Sequence, residues 1–282
     1  MPGTNARAME KARALNADAL IFDLEDSVAP DAKEGARARI EAAVRAGGYG
    51  ERELILRVNG TGTPWHGEDL RFAAGLAVDA VLLPKVAGAA DVDAAVAILE
   101  DAKAPSSRAI WCMMESPAAF LHAEAIAAAS PRLGALVMGT EDLGKDLRSR
   151  RRPDRLPFQT ALGLLVLAAR SYGLAALDSV YADFDDTEGF AAECRQGRDL
   201  GFEGKTLIHP KQIEPANIAF APSAAELDEA RAVVAAFDKA LAAGKGVATL
   251  KGKMIEKLHA EEARRLLDLA AAIARREAAP DA

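Results

Sequence analysis

The sequence predicts an α/β fold: a parallel (β/α) barrel of the TIM type followed by a helical tail. Three observations carry that expectation. Short apolar runs bounded by turn residues alternate with Ala-rich helical stretches along most of the chain, the signature of a parallel sheet with crossover helices. Nearly every apolar run ends in a polar or charged residue, as an active face built at C-terminal strand ends requires. No G-x-G-x-x-G or G-x-x-x-x-G-K-[ST] pattern follows any run, so an open nucleotide-binding sheet lacks its fingerprint. With 282 residues, 50% hydrophobic and only 5% aromatic, the chain suits one large barrel with an appendage.

The elements follow in order. Met1-Pro2-Gly3-Thr4-Asn5 reads as turn chemistry, and a helix over 6–15 follows. The strand 19–24 runs into the acidic cluster Asp23, Glu25, Asp26. A helix over 31–46 leads to a strand over 53–59 that ends in Arg57 and Asn59, then to a Gly/Thr/Pro loop with Trp65 and His66. A helix over 67–77 precedes the strand 80–85, which delivers Lys85. A helix over 91–103 precedes the run 110–114, which ends in Glu115-Ser116-Pro117. After a stretch of small helical residues, the run 136–138 ends in Gly139-Thr140-Glu141-Asp142. An Arg-rich loop over 148–157, a helix over 158–172, a strand over 175–181, a helix over 187–200 and a strand over 204–210 complete the series.

That gives seven strands, and a closed barrel wants eight. Because the chain opens on a strand-to-helix turn, the first strand is expected upstream of Met1, missing from this chain. From Pro215 the pattern changes to a helix over 226–243, a hairpin around Lys251-Gly252 and a helix over 259–276. This tail is too small for its own core and should dock on a barrel, its own or a neighbour's. Its last residues, 278–282, should fray. The expected division is a catalytic barrel over 1–214 and a tail over 215–282.

The chemistry concentrates between Ile110 and Asp142. Glu115 and Asp142 each follow a buried strand, at neighbouring strand ends, with no Cys or His cluster beside them. Two such carboxylates suit a hard divalent cation, Mg²⁺ with Mn²⁺ as its substitute. The competing reading is that each acid merely caps the helix after it. Backbone N–H groups of Gly139, Thr140 and Glu141 open a helix and are placed to take a substrate carboxylate. Glu25 and Asp26 are expected to order water around the metal, with helix capping and loop hydrogen bonding as the competing reading. Lys85 either faces the substrate or pairs with an acid; His209, Cys112 and the alanine stripes read as structural.

A net charge of −7 argues against nucleic acid as a partner, and the run Arg148 to Arg152 is too short to reverse that. No apolar run is long enough to span a membrane. Two cysteines, Cys112 and Cys194, make no disulfide framework and point to a reducing, cytoplasmic setting.

Six segments together resemble one family. Phe22-Asp23-Leu24-Glu25-Asp26-Ser27-Val28, Arg57-Val58-Asn59, Leu83-Pro84-Lys85, Met113-Met114-Glu115, Gly139-Thr140-Glu141-Asp142-Leu143 and Gly204-Lys205-Thr206-Leu207-Ile208-His209-Pro210 are similar to the HpcH/HpaI aldolase and citrate lyase β-subunit family. Arg151 to Leu156 and Glu256-Lys257-Leu258-His259 resemble its malyl-CoA lyase and (3S)-malyl-CoA thioesterase branch. The resemblance implies a TIM barrel with a C-terminal lid, in homo-trimers or homo-hexamers, where the lid of one subunit covers the site of the next. It implies Mg²⁺ on Glu115 and Asp142, Arg57 on the substrate, and Lys11 against coenzyme A carried by the acyl-CoA substrate.

Two departures matter. Asn5 stands where some relatives have a basic residue near CoA. Glu256 stands where many lyases have a lid Asp, the expected proton donor or water-activating group. One extra methylene shifts that carboxylate by about a bond length, and about 1 Å of misplacement can cost roughly a hundredfold. The reaction is therefore expected to be either C–C cleavage or thioester hydrolysis. The alternatives are a class II-like metal-dependent pyruvate aldolase on a free acid, a citramalyl-CoA or citryl-type lyase, and a non-catalytic subunit on an enzyme scaffold.

Overall fold

Seven parallel strands lie side by side in chain order in the computed structural model, which describes residues 1–278. They are β1 (Ala19–Asp23), β2 (Glu53–Arg57), β3 (Ala80–Leu83), β4 (Ala109–Met114), β5 (Leu133–Met138), β6 (Ala175–Asp178) and β7 (Gly204–Lys205). Helices lead into and connect them: α1 (Ala6–Lys11) before β1, then α2 (Lys33–Ala46), α3 (His66–Gly75), α4 (Ala89–Asp101), α5 (Pro117–Leu121), α6 (Ala123–Ala128), α7 (Thr140–Asp146), α8 (Gln159–Ser171) and α9 (Thr187–Leu200). The fold is the expected α/β barrel type.

Strand periodicity decides what each residue faces. Ile21, Ile55, Ala80, Leu82, Ala109, Trp111, Met113, Ala135, Val137, Ala175 and Leu177 form one cluster. Alternate residues (Leu20, Phe22, Leu56, Val81, Leu83, Ile110, Cys112, Leu136, Met138) are buried on the other face, against the crossover helices. The next members of the clustered series, two residues beyond Ile21, Ile55, Met113 and Val137, are Asp23, Arg57, Glu115 and Gly139. The same parity that packs the barrel interior therefore sends these four to the mouth at its C-terminal end.

Several boundaries differ from expectation, each with a local cause. Met1 to Gly3 are not only a turn. Pro2 bridges Asp23 in parallel, the Asp23 N–H donates to Met1 O (2.8 Å), and the α-amino group donates to Ile21 O (2.6 Å). Among the described residues β1 and β7 do not pair with each other. The strand expected over 204–210 is only Gly204–Lys205. The Ile208 and His209 N–H groups turn to Gln212 Oε1 (3.1 and 3.2 Å), which takes the chain out of the sheet. The strand expected to 181 stops at Asp178, where the Ser179 N–H folds back to Asp178 Oδ1 (2.8 Å). Pro215, from which the helix–strand alternation is expected to change, sits in the first turn of α10 (Ile213–Phe220), where its missing N–H costs nothing.

By contacts the chain divides into two compact units, one of residues 1–219 and one beginning at Phe220; position 214 falls inside α10. The second unit is α11 (Ala224–Ala242), a hairpin of β8 (Ala248–Leu250) and β9 (Lys253–Ile255), and α12 (Lys257–Ala278). Lys251 and Gly252 join the hairpin with φ of +49° and +78°, the left-handed pair a tight type I′ turn needs. Its own small core is Ala230, Val233, Phe237, Ile255, Ala260 and Ala263. Ala278 closes α12; the rest of the end expected to fray, 279–282, lies outside the described residues. No helix of the described residues is long and apolar enough to cross a membrane.

Candidate active site

The parallel register sets Asp23 directly beside Arg57. The two form a fork-to-fork pair, with Arg57 Nε to Asp23 Oδ1 and Nη2 to Oδ2 both at 2.6 Å. The Ser27 hydroxyl also donates to Asp23. Burial alone would raise the Asp23 carboxyl; the Arg57 hydrogen bonds and charge, with Ser27, outweigh it and hold it at about 2. Burial opposes the charge on Arg57, but Asp23 more than compensates, so the guanidinium stays firmly protonated. Bidentate pairing fixes the plane of the guanidinium. Its remaining nitrogen, Nη1, lies 3.2 Å from Glu25 Oε2.

Glu25 is buried and Asp26 is exposed, and one lysine serves both. Lys85 Nζ lies 2.5 Å from Glu25 Oε1 and 3.1 Å from Asp26 Oδ1. Burial raises the Glu25 carboxyl despite that ammonium. Burial also works upward on Asp26, but hydrogen bonds to Glu25 and Lys85 hold it down. Lys33 is buried beneath this loop, donates to Leu24 O and Glu25 O (2.7 and 2.8 Å) and sits over the Trp65 ring. Next to it opens a cavity of about 370 Å³, walled by Val28, Pro30, Asn59, Thr63, Trp65 and Lys85.

Glu115 follows β4 and is only 4% exposed. Lys85, with φ of +55°, points its backbone N–H at Glu115 Oε1 (2.6 Å). Burial, then the nearby charges of Asp142 and Glu25, push the Glu115 carboxyl up to about 7, against the pull of the Lys85 N–H and Arg57. Asp142 lies half-buried in the first turn of α7. Gly139 lies against Glu115: a Cβ there would lie 2.4 Å from Glu115 Cβ and 2.8 Å from Oε2. Among the described residues no set of three or more Cys, His, Asp or Glu gathers as a closed metal cage. Two hard oxygen donors without such a cage are what Mg²⁺ takes when waters and substrate complete its shell. A buried carboxylate that burial first, and the neighbouring Asp142 charge next, push up to about 7 fits a divalent cation.

Of the residues expected at the site, the structure brings together Arg57, Asp26, Glu115, Gly139 and Asp142. The Gly139 N–H is not available to a substrate, because it donates to Met114 O (3.0 Å) in the sheet ladder. Thr140 and Glu141 open α7, where first-turn N–H groups lack helical partners. The Glu141 side chain is exposed and paired with Arg151. Lys11 is exposed at the end of α1, and Asn5 caps that helix by accepting from the Ala8 N–H (3.0 Å). Glu256 belongs to the second unit, where its N–H donates to His259 Nδ1 (3.0 Å). His209 caps a helical turn and stacks on Phe184. Lys85 pairs with acids.

Sequence reasoning noted Asp23 only as one of an acidic cluster; its position two residues after Ile21, level with Arg57, was the available signal. It missed the buried chain in which Arg37 donates to Asp69 (2.7 Å), Asp69 accepts from Asn59 (2.6 Å) and Asn59 O meets His66 Nδ1 (2.7 Å). That chain fixes the loop after β2.

Strand-end carboxylates, an oriented arginine and an adjoining cavity at a barrel mouth fit an enzyme active site. The chain belongs to the HpcH/HpaI aldolase/citrate lyase family, whose model matches residues 1–210. It is 51% identical over 274 residues to a (3S)-malyl-CoA thioesterase of Cereibacter sphaeroides, covering 97% of this chain and 94% of the relative. It is 38% identical to an L-malyl-CoA/β-methylmalyl-CoA lyase of the same species, covering 90% and 88%. Among solved structures it is similar to CitE from Mycobacterium tuberculosis in complex with magnesium, acetoacetate and coenzyme A. That match has a TM-score of 0.80, 31% identity and 96% coverage of both chains.

Proposed function

We propose that this chain is a Mg²⁺-dependent CoA-ester enzyme that hydrolyses (3S)-malyl-CoA to malate and CoA. The observation that carries the chemistry is the convergence of Glu115 and Asp142 at the barrel mouth with Arg57. Hydrolysis is favoured over cleavage because the thioesterase relative is more similar, at 51% identity against 38% for the lyase. Cleavage to acetyl-CoA or propionyl-CoA plus glyoxylate is the second reading, and the same residues serve it.

Glu115 and Asp142 would hold Mg²⁺, which supplies a Lewis acid for the substrate's hydroxyl and carboxylate oxygens. The Lys85 N–H ties Glu115 Oε1 and so orients its other oxygen. Arg57, its plane set by Asp23, neutralises negative charge that develops on substrate oxygen. Thr140 and Glu141 offer backbone N–H groups to the substrate carboxylate. Asp26, at the exposed rim, orders water. Glu256, supplied by a neighbouring subunit in a homo-trimer or homo-hexamer, takes the proton of the attacking water in hydrolysis, or protonates the enolate in cleavage. Lys11 meets the CoA portion. The buried free thiols Cys112 and Cys194 suit a cytoplasmic enzyme.

The test is incubation with (3S)-malyl-CoA and Mg²⁺, with glyoxylate and free CoA thiol followed separately. Thiol and malate without glyoxylate support hydrolysis. Glyoxylate with acetyl-CoA and no thiol replaces it with the lyase. Absence of both products overturns malyl-CoA as the substrate.

A further inference from the structure

We infer that Lys85 is a positioning residue that draws Glu25 away from Arg57, limiting it to a 3.2 Å contact at Nη1, and so keeps that nitrogen available to the substrate. This rests on the reading of Arg57 given above. Glu25 stands between two cations and is not shared evenly: Oε1 is 2.5 Å from Lys85 Nζ, while Oε2 is 3.2 Å from Arg57 Nη1. Arg57 is already matched by one full carboxylate, Asp23, through two of its nitrogens. A second carboxylate closing on Nη1 would occupy the third nitrogen and leave the arginine inside a net negative pair of acids. Buried as it is, Glu25 cannot turn to water; if Lys85 lost its charge, Arg57 would be the nearest remaining cation. Lys85 is itself anchored from the exposed side by Asp26, at 3.1 and 3.2 Å.

The two ends of Lys85 do separate work. Its ammonium acts on Glu25, and through it on Arg57. Its backbone N–H acts on Glu115 at 2.6 Å. Substitution of the side chain removes the first and leaves the second. Methionine meets the same backbone cost as lysine at φ of +55°, because both carry an unbranched Cβ.

The experiment compares Lys85→Met, Lys85→Arg and the double variant Lys85→Met/Glu25→Gln with wild type. kcat and KM are measured on (3S)-malyl-CoA, and Mn²⁺ affinity is measured by electron paramagnetic resonance without substrate. Loss of one oxyanion-stabilising donor lowers kcat by about a hundredfold or more; Lys85→Met blocks Arg57 only partly and is expected to lose about 10- to 100-fold. Mn²⁺ affinity should stay within about threefold, because the backbone contact remains. Lys85→Arg should keep most activity. The double variant should recover about tenfold over Lys85→Met, since the neutral amide in place of the Glu25 carboxylate no longer captures Arg57, whereas damage to packing would add rather than cancel. A double variant no better than Lys85→Met, or Mn²⁺ affinity falling in step with kcat, overturns the inference. A wild-type protein silent on (3S)-malyl-CoA would instead sink the proposed function. Glyoxylate binding by calorimetry then decides the Lys85 inference: weakened by Lys85→Met and restored in the double variant supports it, any other pattern refutes it.

Discussion

Gly139→Ala is the sharpest probe of the carboxylate site, because it adds one methyl group at a known distance from Glu115. The backbone there, φ −121° and ψ 90°, is open to any residue, so the cost is contact and not conformation. The new Cβ would lie 2.4 Å from Glu115 Cβ and 2.8 Å from Oε2, whereas ordinary contact begins at 3.4 Å. The two must part by about 1 Å. Because Cβ rides on the backbone, the ends of β4 and β5 must part, against the pairing of Met114 with Met138 and the Gly139 N–H bond to Met114 O at 3.0 Å, and Glu115 is carried with them. Displacement of about 1 Å at a reacting centre costs roughly a hundredfold, and overpacking of this kind costs about 1–3 kcal/mol of stability. The assay is kcat/KM on (3S)-malyl-CoA across a Mg²⁺ titration, with urea unfolding of the metal-free protein alongside. Gly134→Ala is the control: on the same strand but lower in the barrel, its Cβ would meet Trp111 Nε1 at 3.3 Å, so Mg²⁺ affinity should not change. A Gly139→Ala protein with wild-type Mg²⁺ affinity and activity within threefold would refute the placement of Glu115 as a ligand.

Four further outcomes follow from the same geometry. Glu115 is raised from an ordinary 4.5 to about 7, so its protonated form is the one the metal-free fold favours. Its stabilising contribution is complete below about pH 4.5 and lost as pH rises through about 7. Urea midpoints of the metal-free protein should therefore fall between pH 5 and 8 more steeply in wild type than in Glu115→Gln, and excess Mg²⁺ should remove the difference. Mg²⁺ affinity should weaken by about tenfold per unit below pH 7, as protons compete for the carboxylate. Asp23→Asn breaks a buried ion pair and should cost about 3–5 kcal/mol in urea unfolding. It should also lower kcat, as Arg57 loses its fixed plane; unchanged kcat would show that Glu25 alone orients the guanidinium. Gly197→Ala places a Cβ 2.6 Å from Asp178 Oδ2, in a buried cluster where Arg155 binds Asp178 at 2.8 and 2.9 Å. It should cost about 1–3 kcal/mol of stability with Mn²⁺ affinity unchanged; a loss of metal binding would mean that this cluster supports the site.

Which parts of the site were readable depended on how far a residue's role reached beyond its own strand. The strand-end positions of Glu115, Arg57 and Asp142 could be read because each ends or follows an apolar run, and strand ends are where such folds place chemistry. Periodicity could also have placed Asp23 and Gly139, which continue the inward series of Ile21 and Val137. What periodicity does not contain is register: nothing in residues 19–23 alone says that Asp23 lies level with Arg57. Lys85 was left undecided for the same reason. Its partners are 60 residues upstream and 30 downstream, and its left-handed backbone, which aims the N–H at Glu115, has no signature in a lysine. The hairpin at Lys251-Gly252 was legible because its turn chemistry is local. The strand at Gly204 was overdrawn because Thr206, Leu207 and Ile208 look like strand residues, while the glutamine that pulls them away, Gln212, acts through its side chain.

The charge at the barrel mouth argues for the metal independently of any relative. The side chains Asp23, Glu25, Asp26, Glu115 and Asp142 gather there with Arg57, Lys85 and Lys33, five acids against three cations, a formal side-chain charge of −2, with Asp69 paired to Arg37 and the charge on the Met1 α-amino group opposed by burial. Asp23 and Arg57 cancel as a tight pair, and Lys85 is taken up by Glu25 and Asp26. What remains falls on Glu115 and Asp142, two carboxylates with little water around one of them. The metal-free protein has one local remedy, which is to keep a proton on Glu115, and that is the direction in which its carboxyl moves. A divalent cation supplies the same two charges without the proton. Burial first, and the Asp142 charge after it, thus raise the Glu115 carboxyl at the place where the proposed Mg²⁺ would be held. Substitutions that relieve the excess, such as Asp142→Asn, should lower the Glu115 carboxyl and weaken Mg²⁺ binding together. A variant in which only one of the two moved would show that Asp142 and Glu115 do not share the cation.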